Sequence, residues 1–173
     1  DVVALSVAYE TEVLGLIECL DLMGIPMWAS ERDARFHPLV LIGGPLTFSN
    51  PLPVAPFADV MVMGEGDELI GVLMDWYQDS PDRDTFLRDV AMLPGVYVPS
   101  IHGEELRPVA QADDRFLPAY SPILTPHTEL SSMHLVENAR GCHRGCTFCV
   151  MRRTTNQGMR TVDPEVVLGT IPE

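Results

Sequence analysis

The sequence predicts an α/β protein in which a parallel sheet is covered by helices on both faces. Three observations carry that expectation: the run Val2 to Ala8, apolar but for Ser6, the run "PLVLIGGP" from Pro38 to Pro45, and the run "DVMVMGEGDE" from Asp59 to Glu68. Each is apolar on successive rather than alternate residues, as in a strand buried on both sides. The first and third are followed by helical periodicity, the alternation that builds parallel sheets.

The elements follow in order. After Val2 to Ala8, Thr11 opens a helical pattern with Val13, Leu16, Ile17 and Leu20 on one face, and Gly24 closes it. The second strand run ends in the paired glycines Gly43 and Gly44. The third leads straight into a helix whose stripe is Leu69, Val72, Leu73 and Trp76; Ser80-Pro81 ends it, and a further helix carries Phe86, Leu87 and Val90. From Pro99 to Ser132 the pattern breaks into prolines, acids and isolated apolar residues, including "LPAY" and "SPILTP", which is the pattern of a surface linker. Met133 to Ala139 resumes as a short strand, a cysteine-rich loop follows, and "VDPEVVLGTI" starts a helix with Asp163 as its cap and Pro164 at the first helical position. The expected organisation is an α/β domain over residues 1–100, a linker over 101–132, and the opening strand, loop and helix of a second domain over 133–173. Asp1 is not a methionine and a strand-like run follows it at once, so the chain is expected to be an internal piece of a longer polypeptide.

Composition bounds the function. With 46% hydrophobic and 21% charged residues the chain has the balance of a soluble globular protein. No apolar run approaches the roughly 18–20 residues of a membrane span, and no basic, apolar leader opens the chain, which leaves a cytoplasmic location as the expectation. The formal net charge of −14 argues against nucleic-acid and membrane-surface binding. Arg140, Arg144, Arg152, Arg153 and Arg160 lie in a stretch without acids, a local patch suited to a carboxylate or phosphate or simply to solvating a loop.

The chemistry concentrates in "ENARGCHRGCTFCVMRR", Glu137 to Arg153, where Cys142, Cys146 and Cys149 fall within eight residues. Gly141 and Gly145 let the backbone turn tightly between them. Thiolates are the ligands of iron–sulfur clusters, which usually take four, so three leave one iron of a cubane open. Zinc is the main rival, with His143 or the distant Cys19 as a fourth ligand, although structural zinc sites generally pair their ligands as two separated knuckles. A disulfide framework does not suit four cysteines without a secretory signal. Cys19 falls at the edge of its helix's apolar face and reads as core filling. His37, His102, His127 and His134 stand alone or beside prolines and read as surface or satisfied histidines.

At these residues the sequence resembles the radical SAM enzymes, whose cluster motif Cys-x-x-x-Cys-x-aromatic-Cys is matched by Cys142, Cys146, Phe148 and Cys149. The resemblance implies a 4Fe-4S cluster held by the three cysteines on the loop after the first strand of a partial (βα) barrel, the placement read here from Met133 onward. It implies S-adenosylmethionine chelated to the open iron, one electron from a donor such as flavodoxin or ferredoxin, and a deoxyadenosyl radical that abstracts a substrate hydrogen. Phe148 is expected near the adenine. The upstream region looks like the Rossmann-like, doubly wound cobalamin-binding-type domain that precedes many radical SAM domains, with Gly43, Gly44, Gly64 and Gly66 at the strand ends where such sheets bind ligands. The same glycines serve equally as ordinary strand-to-helix turns. No Asp-x-His-x-x-Gly occurs, so no histidine of this segment is expected to reach cobalt. The methylthiotransferases, which use three further cysteines in their leader, are excluded because Cys19 stands alone there. The alternatives left open are a non-catalytic iron–sulfur domain and a zinc-stabilised binding module. With a single barrel strand, residues 1–173 are expected not to turn over by themselves.

Overall fold

The computed structural model describes residues 1–149 and 158–172. It divides into two units, Asp1–Ala112 and Asp113–Glu173.

The first unit opens with strand β1 (Val2–Ser6), a single 3-10 turn, and helix α1 (Val13–Leu22). Leu16 and Leu20 bury the inner face of α1. Gly24, at φ 67°, ends it: its N–H donates to Asp21 C=O, and the Ile25 N–H reaches back to Leu20 C=O, both at 2.9 Å. Strand β2 (Leu39–Gly43) is buried over its first four residues and leads into the short helix α2 (Leu46–Ser49). Strand β3 (Val60–Val62) is followed by α3 (Leu69–Asp79), α4 (Arg83–Val90), strand β4 (Val96–Tyr97) and the one-turn α5 (Pro99–His102). The Asp82 carboxylate caps α4 by accepting the Thr85 N–H at 2.8 Å, and that bond holds its pKa below the ordinary aspartate value.

The strands lie in chain order, β1-β2-β3-β4. β1 and β2 pair in parallel from Val2↔Leu39 to Ser6↔Gly43, and β2 and β3 pair in parallel through Leu41↔Val60. The protein is thus mixed α/β with a mostly parallel four-stranded sheet. The departure from an all-parallel sheet is β4, which pairs antiparallel to β3 through Met61↔Tyr97. The cause is the connection: one helix returns the chain to the end of the sheet where it began, whereas two successive helices, α3 and α4, deliver it to the opposite end. Alternation along the strands divides the core. Val40, Ile42, Met61, Met63 and Tyr97 face α1, α2 and the Val54–Phe57 turn on one side. Leu39, Leu41, Val60, Val62, Val96 and Val98 face Leu73 of α3 and Phe86 and Val90 of α4 on the other. The first two crossovers share a face because right-handed connections that move the same way across a sheet must do so.

Two buried polar links tie the unit together. Arg32, whose side chain has no exposed surface, donates to Asp59 Oδ2 at 3.0 Å and to the carbonyls of Pro26, Met27 and Phe57 at 3.0, 2.9 and 2.6 Å. Asp59 Oδ2 also accepts the buried Val40 N–H at 2.7 Å. The Thr47 hydroxyl lies 2.8 Å from Gly44 C=O and 2.7 Å from Val62 C=O, joining the C-terminal ends of β2 and β3.

In the second unit the expected strand over Met133–Ala139 is replaced by an isolated antiparallel bridge between Tyr120 and Val136, and strand β5 begins only at Ala139–Gly141. β5 pairs antiparallel with β6 (Met159–Thr161), so the cysteine loop joins two strands of a hairpin, and helix α6 (Pro164–Leu168) follows β6. A lone strand leaves its backbone groups unpaired, and β6 supplies the nearest extended segment that satisfies them. Asp163 caps α6 by accepting the Glu165 N–H at 2.9 Å, with Pro164 at the first position as the sequence leads one to expect. Among the described residues of this unit none is fully buried.

Candidate functional site

Cys142, Cys146 and Cys149 follow directly on β5, and all three thiols are free and partly buried. Gly141, at φ 97°, makes the loop's start possible: a Cβ there would lie 2.4 Å from Gly158 C=O across the hairpin, so no other residue fits without moving that strand. The Arg144 N–H donates to Cys142 Sγ at 3.3 Å and the Cys149 N–H to Cys146 C=O at 3.3 Å. The donor set therefore suits an iron–sulfur cluster: three thiols, a backbone N–H on one of them, and a glycine that lets the chain turn. The structure does not draw the sulfurs together, since among the described residues no three His, Cys, Asp or Glu side chains converge as a metal site. His143, the possible fourth zinc ligand, is exposed. Phe148 is 88% exposed and presents an open ring beside the cysteines.

The expected arginine patch is partly occupied by the chain's own acids. Arg140 and Arg160 stand opposite each other in the β5/β6 register. Such a like-charge pair needs neutralising. Arg140 forms a two-pronged bond to Glu137 at 2.9 and 2.7 Å, and Arg160 meets Asp114 at 3.0 Å. Arg144 is exposed, and Arg152 and Arg153 lie outside the described residues.

In the first unit Gly43, Gly44, Gly64 and Gly66 all lie at the C-terminal edge of β2 and β3. Two of them are required by the fold itself. Gly44, at φ 95°, sits where a Cβ would be 2.6 Å from Val7 C=O. Gly64, at φ 104°, sits where a Cβ would be 2.4 Å from Ala110 C=O. The space at Gly64 is taken by the chain's own segment 109–112, which bonds to β3 through Ala110 N–H to Met63 C=O (2.7 Å) and Glu65 N–H to Ala110 C=O (3.1 Å). The Glu65 carboxylate completes the clamp by accepting the Ala112 N–H at 2.9 Å. A Cβ at Gly43 would meet nothing within 4 Å among the described residues, so the edge is open there, whereas at Gly66 it would make ordinary contact with Val62 Cγ1 at 3.4 Å and Ile70 Cγ1 at 3.6 Å. Sequence reasoning missed the 109–112 segment and the Arg32–Asp59 pair; the signal for the latter was a lone acid immediately before a fully apolar run. Cys19 is exposed rather than core filling: it lies on the flank of the buried face of α1, about 60° round the helix from Leu16, where it lines a groove open to solvent.

The family described as radical SAM proteins, N-terminal, matches residues 1–99. The chain belongs to the radical SAM proteins. The match covers the α/β sheet and stops well before Cys142, so it is independent of the cysteine spacing that suggested the same family. Radical SAM proteins in general use a 4Fe-4S cluster and S-adenosylmethionine. No curated protein matches the chain. Among the described residues of this radical SAM protein no helix is long and apolar enough to cross a membrane.

Proposed function

We propose that the chain is part of a radical SAM iron–sulfur enzyme that reductively cleaves S-adenosylmethionine to start radical chemistry. The observation that carries this reading is the coincidence of a radical SAM family match over residues 1–99 with three free thiols in the spacing Cys142, Cys146, Cys149 further along the same chain. Those three cysteines would hold three irons of the cluster, and the missing fourth ligand would leave one iron for the amino and carboxylate groups of S-adenosylmethionine. When bound, the cluster supplies the electron that breaks the sulfonium bond. The residues of this chain bind and orient: the Arg144 N–H holds the Cys142 sulfur in place, and the exposed Phe148 ring offers a face to adenine. In this reading the hairpin unit opens a partial (βα) barrel, and the sheet is one half of a Rossmann-like, doubly wound cobalamin-binding-type domain. A corrinoid would approach the open backbone at Gly43. Electrons would come from a flavodoxin or ferredoxin in the cytoplasm.

The test is anaerobic reconstitution with iron and sulfide, then electron paramagnetic resonance with and without S-adenosylmethionine, and assay of deoxyadenosine after dithionite. About four irons and four sulfides per chain, and a spectrum altered by S-adenosylmethionine, are expected. Stoichiometric zinc without charge-transfer absorbance would refute the reading. Deoxyadenosine is expected only when the remaining barrel strands are supplied. Hydroxocobalamin, if taken up, should bind with its cobalt free of histidine and be indifferent to replacement of His37.

A further inference from the structure

An open cavity of about 550 Å³ lies at the N-terminal end of β3, and all its walls come from residues 28–100 of the first unit. Asp59, the residue before β3, and Pro99, just past the antiparallel β4, both border it. It therefore sits at the end of the sheet opposite Gly43, Gly44 and Gly64, and its volume is that of a small-molecule site. Trp28, Pro56, Leu87 and Pro99 give it an apolar wall. Phe57 stacks on the Trp28 indole at 5.1 Å and steadies it, while Trp28 keeps 40% of its surface exposed.

The charges around the cavity identify the ligand's class. Arg32 and Asp59 neutralise each other, and the nearby Asp33 is held by Arg35 in a two-pronged bond at 3.1 and 2.7 Å. Two charges remain in the wall, Arg83 and the exposed Asp84. Arg83 pairs with no carboxylate among the described residues. Its guanidinium makes one bond, from Nη2 to His37 C=O at 2.5 Å, and its Nε is shut off from solvent with no acceptor. A buried donor left unpaired is costly, and the planar guanidinium fork is matched by a carboxylate. We propose that this cavity binds a flat, largely apolar small molecule bearing a single carboxylate. The ring lies against Trp28 and the prolines, and the carboxylate draws the Arg83 guanidinium toward the cavity, giving Nε the acceptor it lacks. Ser30 and Ser100, also in the wall, add hydroxyl donors. A carboxylate fits better than a phosphate because Asp84 and a chain of net charge −14 repel a dianion more strongly than a monoanion. The site needs neither an iron–sulfur cluster nor a corrinoid.

The test is titration of the isotope-labelled chain with naphthoate, followed by the indole N–H resonance of Trp28 and the Nε–H resonance of Arg83. Trp76, the chain's other tryptophan, is not part of the cavity wall and serves as the internal control. Saturable shifts at Trp28 and Arg83, with Trp76 unmoved, are expected. Naphthamide has the same shape without the charge and should bind at least about tenfold more weakly, and naphthyl phosphate should bind no more tightly than naphthoate. Arg83→Gln keeps a donor for His37 C=O and should lower naphthoate affinity to that of the amide, with the melting curve retained; the amide makes the same cut without touching the protein. No saturable shift at Trp28, shifts of equal size at Trp76, equal affinity for the amide, or tighter binding of the phosphate would each overturn the proposal.

Discussion

Replacing Asp59 by alanine removes the carboxylate that, among the described residues, pairs with the Arg32 guanidinium, whose side chain has no exposed surface. The variant keeps a buried cation with three carbonyl acceptors and no counter-charge, and it strands the buried Val40 N–H as well. Breaking a buried pair from one side costs about 3–5 kcal/mol, and an orphaned buried donor about 1–3 kcal/mol. The two losses share Oδ2 and overlap, so roughly 4 kcal/mol is expected, a large share of the 5–15 kcal/mol typical of a whole domain. At a urea slope of about 2 kcal/mol/M the midpoint falls by about 2 M. The assay is urea unfolding followed by circular dichroism, with Asp59→Asn as the companion: it keeps an acceptor for Val40, loses only the charge, and should fall between wild type and Asp59→Ala. A loss below about 1 kcal/mol for Asp59→Ala would refute the account, since that is the worth of a solvated surface pair.

Further outcomes follow from the site and the sheet. Alanine at any one of Cys142, Cys146 or Cys149 should abolish iron retention after reconstitution, whereas Cys19→Ala should leave it unchanged; equal loss at Cys19 would show the ligand assignment to be wrong. Gly64→Ala forces a Cβ to within 2.4 Å of Ala110 C=O at positive φ and should cost about 1–3 kcal/mol in urea unfolding while exposing residues 105–112 to protease. Gly71→Ala, in the exposed interior of α3 with nothing within 4 Å, should instead stabilise by roughly 0.5–1 kcal/mol. Asp82→Ala should lower the melting temperature at neutral pH. Because the folded carboxyl of Asp82 has its pKa depressed below 3.8, the cap's contribution is complete above that value and is lost as pH falls through the lowered folded value, so wild type and variant should converge there.

Hydrophobic pattern made the first unit legible. β1, β2 and β3 are runs of successive apolar residues, and α1, α3 and α4 carry a 3.6-residue stripe, so a signal spread over many residues survives the loss of any one of them. β4 was not legible because two residues, Val96 and Tyr97, form it between Gly95 and Pro99, too few to show a period. The 109–112 segment was hidden for another reason: it pairs with β3 through backbone groups, which leave no mark in side-chain pattern. The hairpin of the second unit went unread because Arg140 and Arg160 at its centre look like loop residues until Glu137 and Asp114 are seen beside them. The cysteine spacing was legible at once, as short-range chemistry tends to be, and the glycines were legible as positions needing freedom. What could not be read was that the chain's own Val7 and Ala110, rather than a ligand, lie against Gly44 and Gly64.

The strands of the first unit sit side by side in the order in which they are written, β1-β2-β3-β4. Each new strand therefore finds its partner already made, and no strand waits for one still to come. A ribosome emitting this sequence at about 5–20 residues per second delivers β2 within seconds of β1, and β3 soon after. Sheets whose order reverses must hold an early strand open until a later one arrives, with apolar edges exposed meanwhile. Here the growing edge moves with synthesis, and the last strand to arrive, β4, closes it with an antiparallel pairing that needs only the α3–α4 connection just completed.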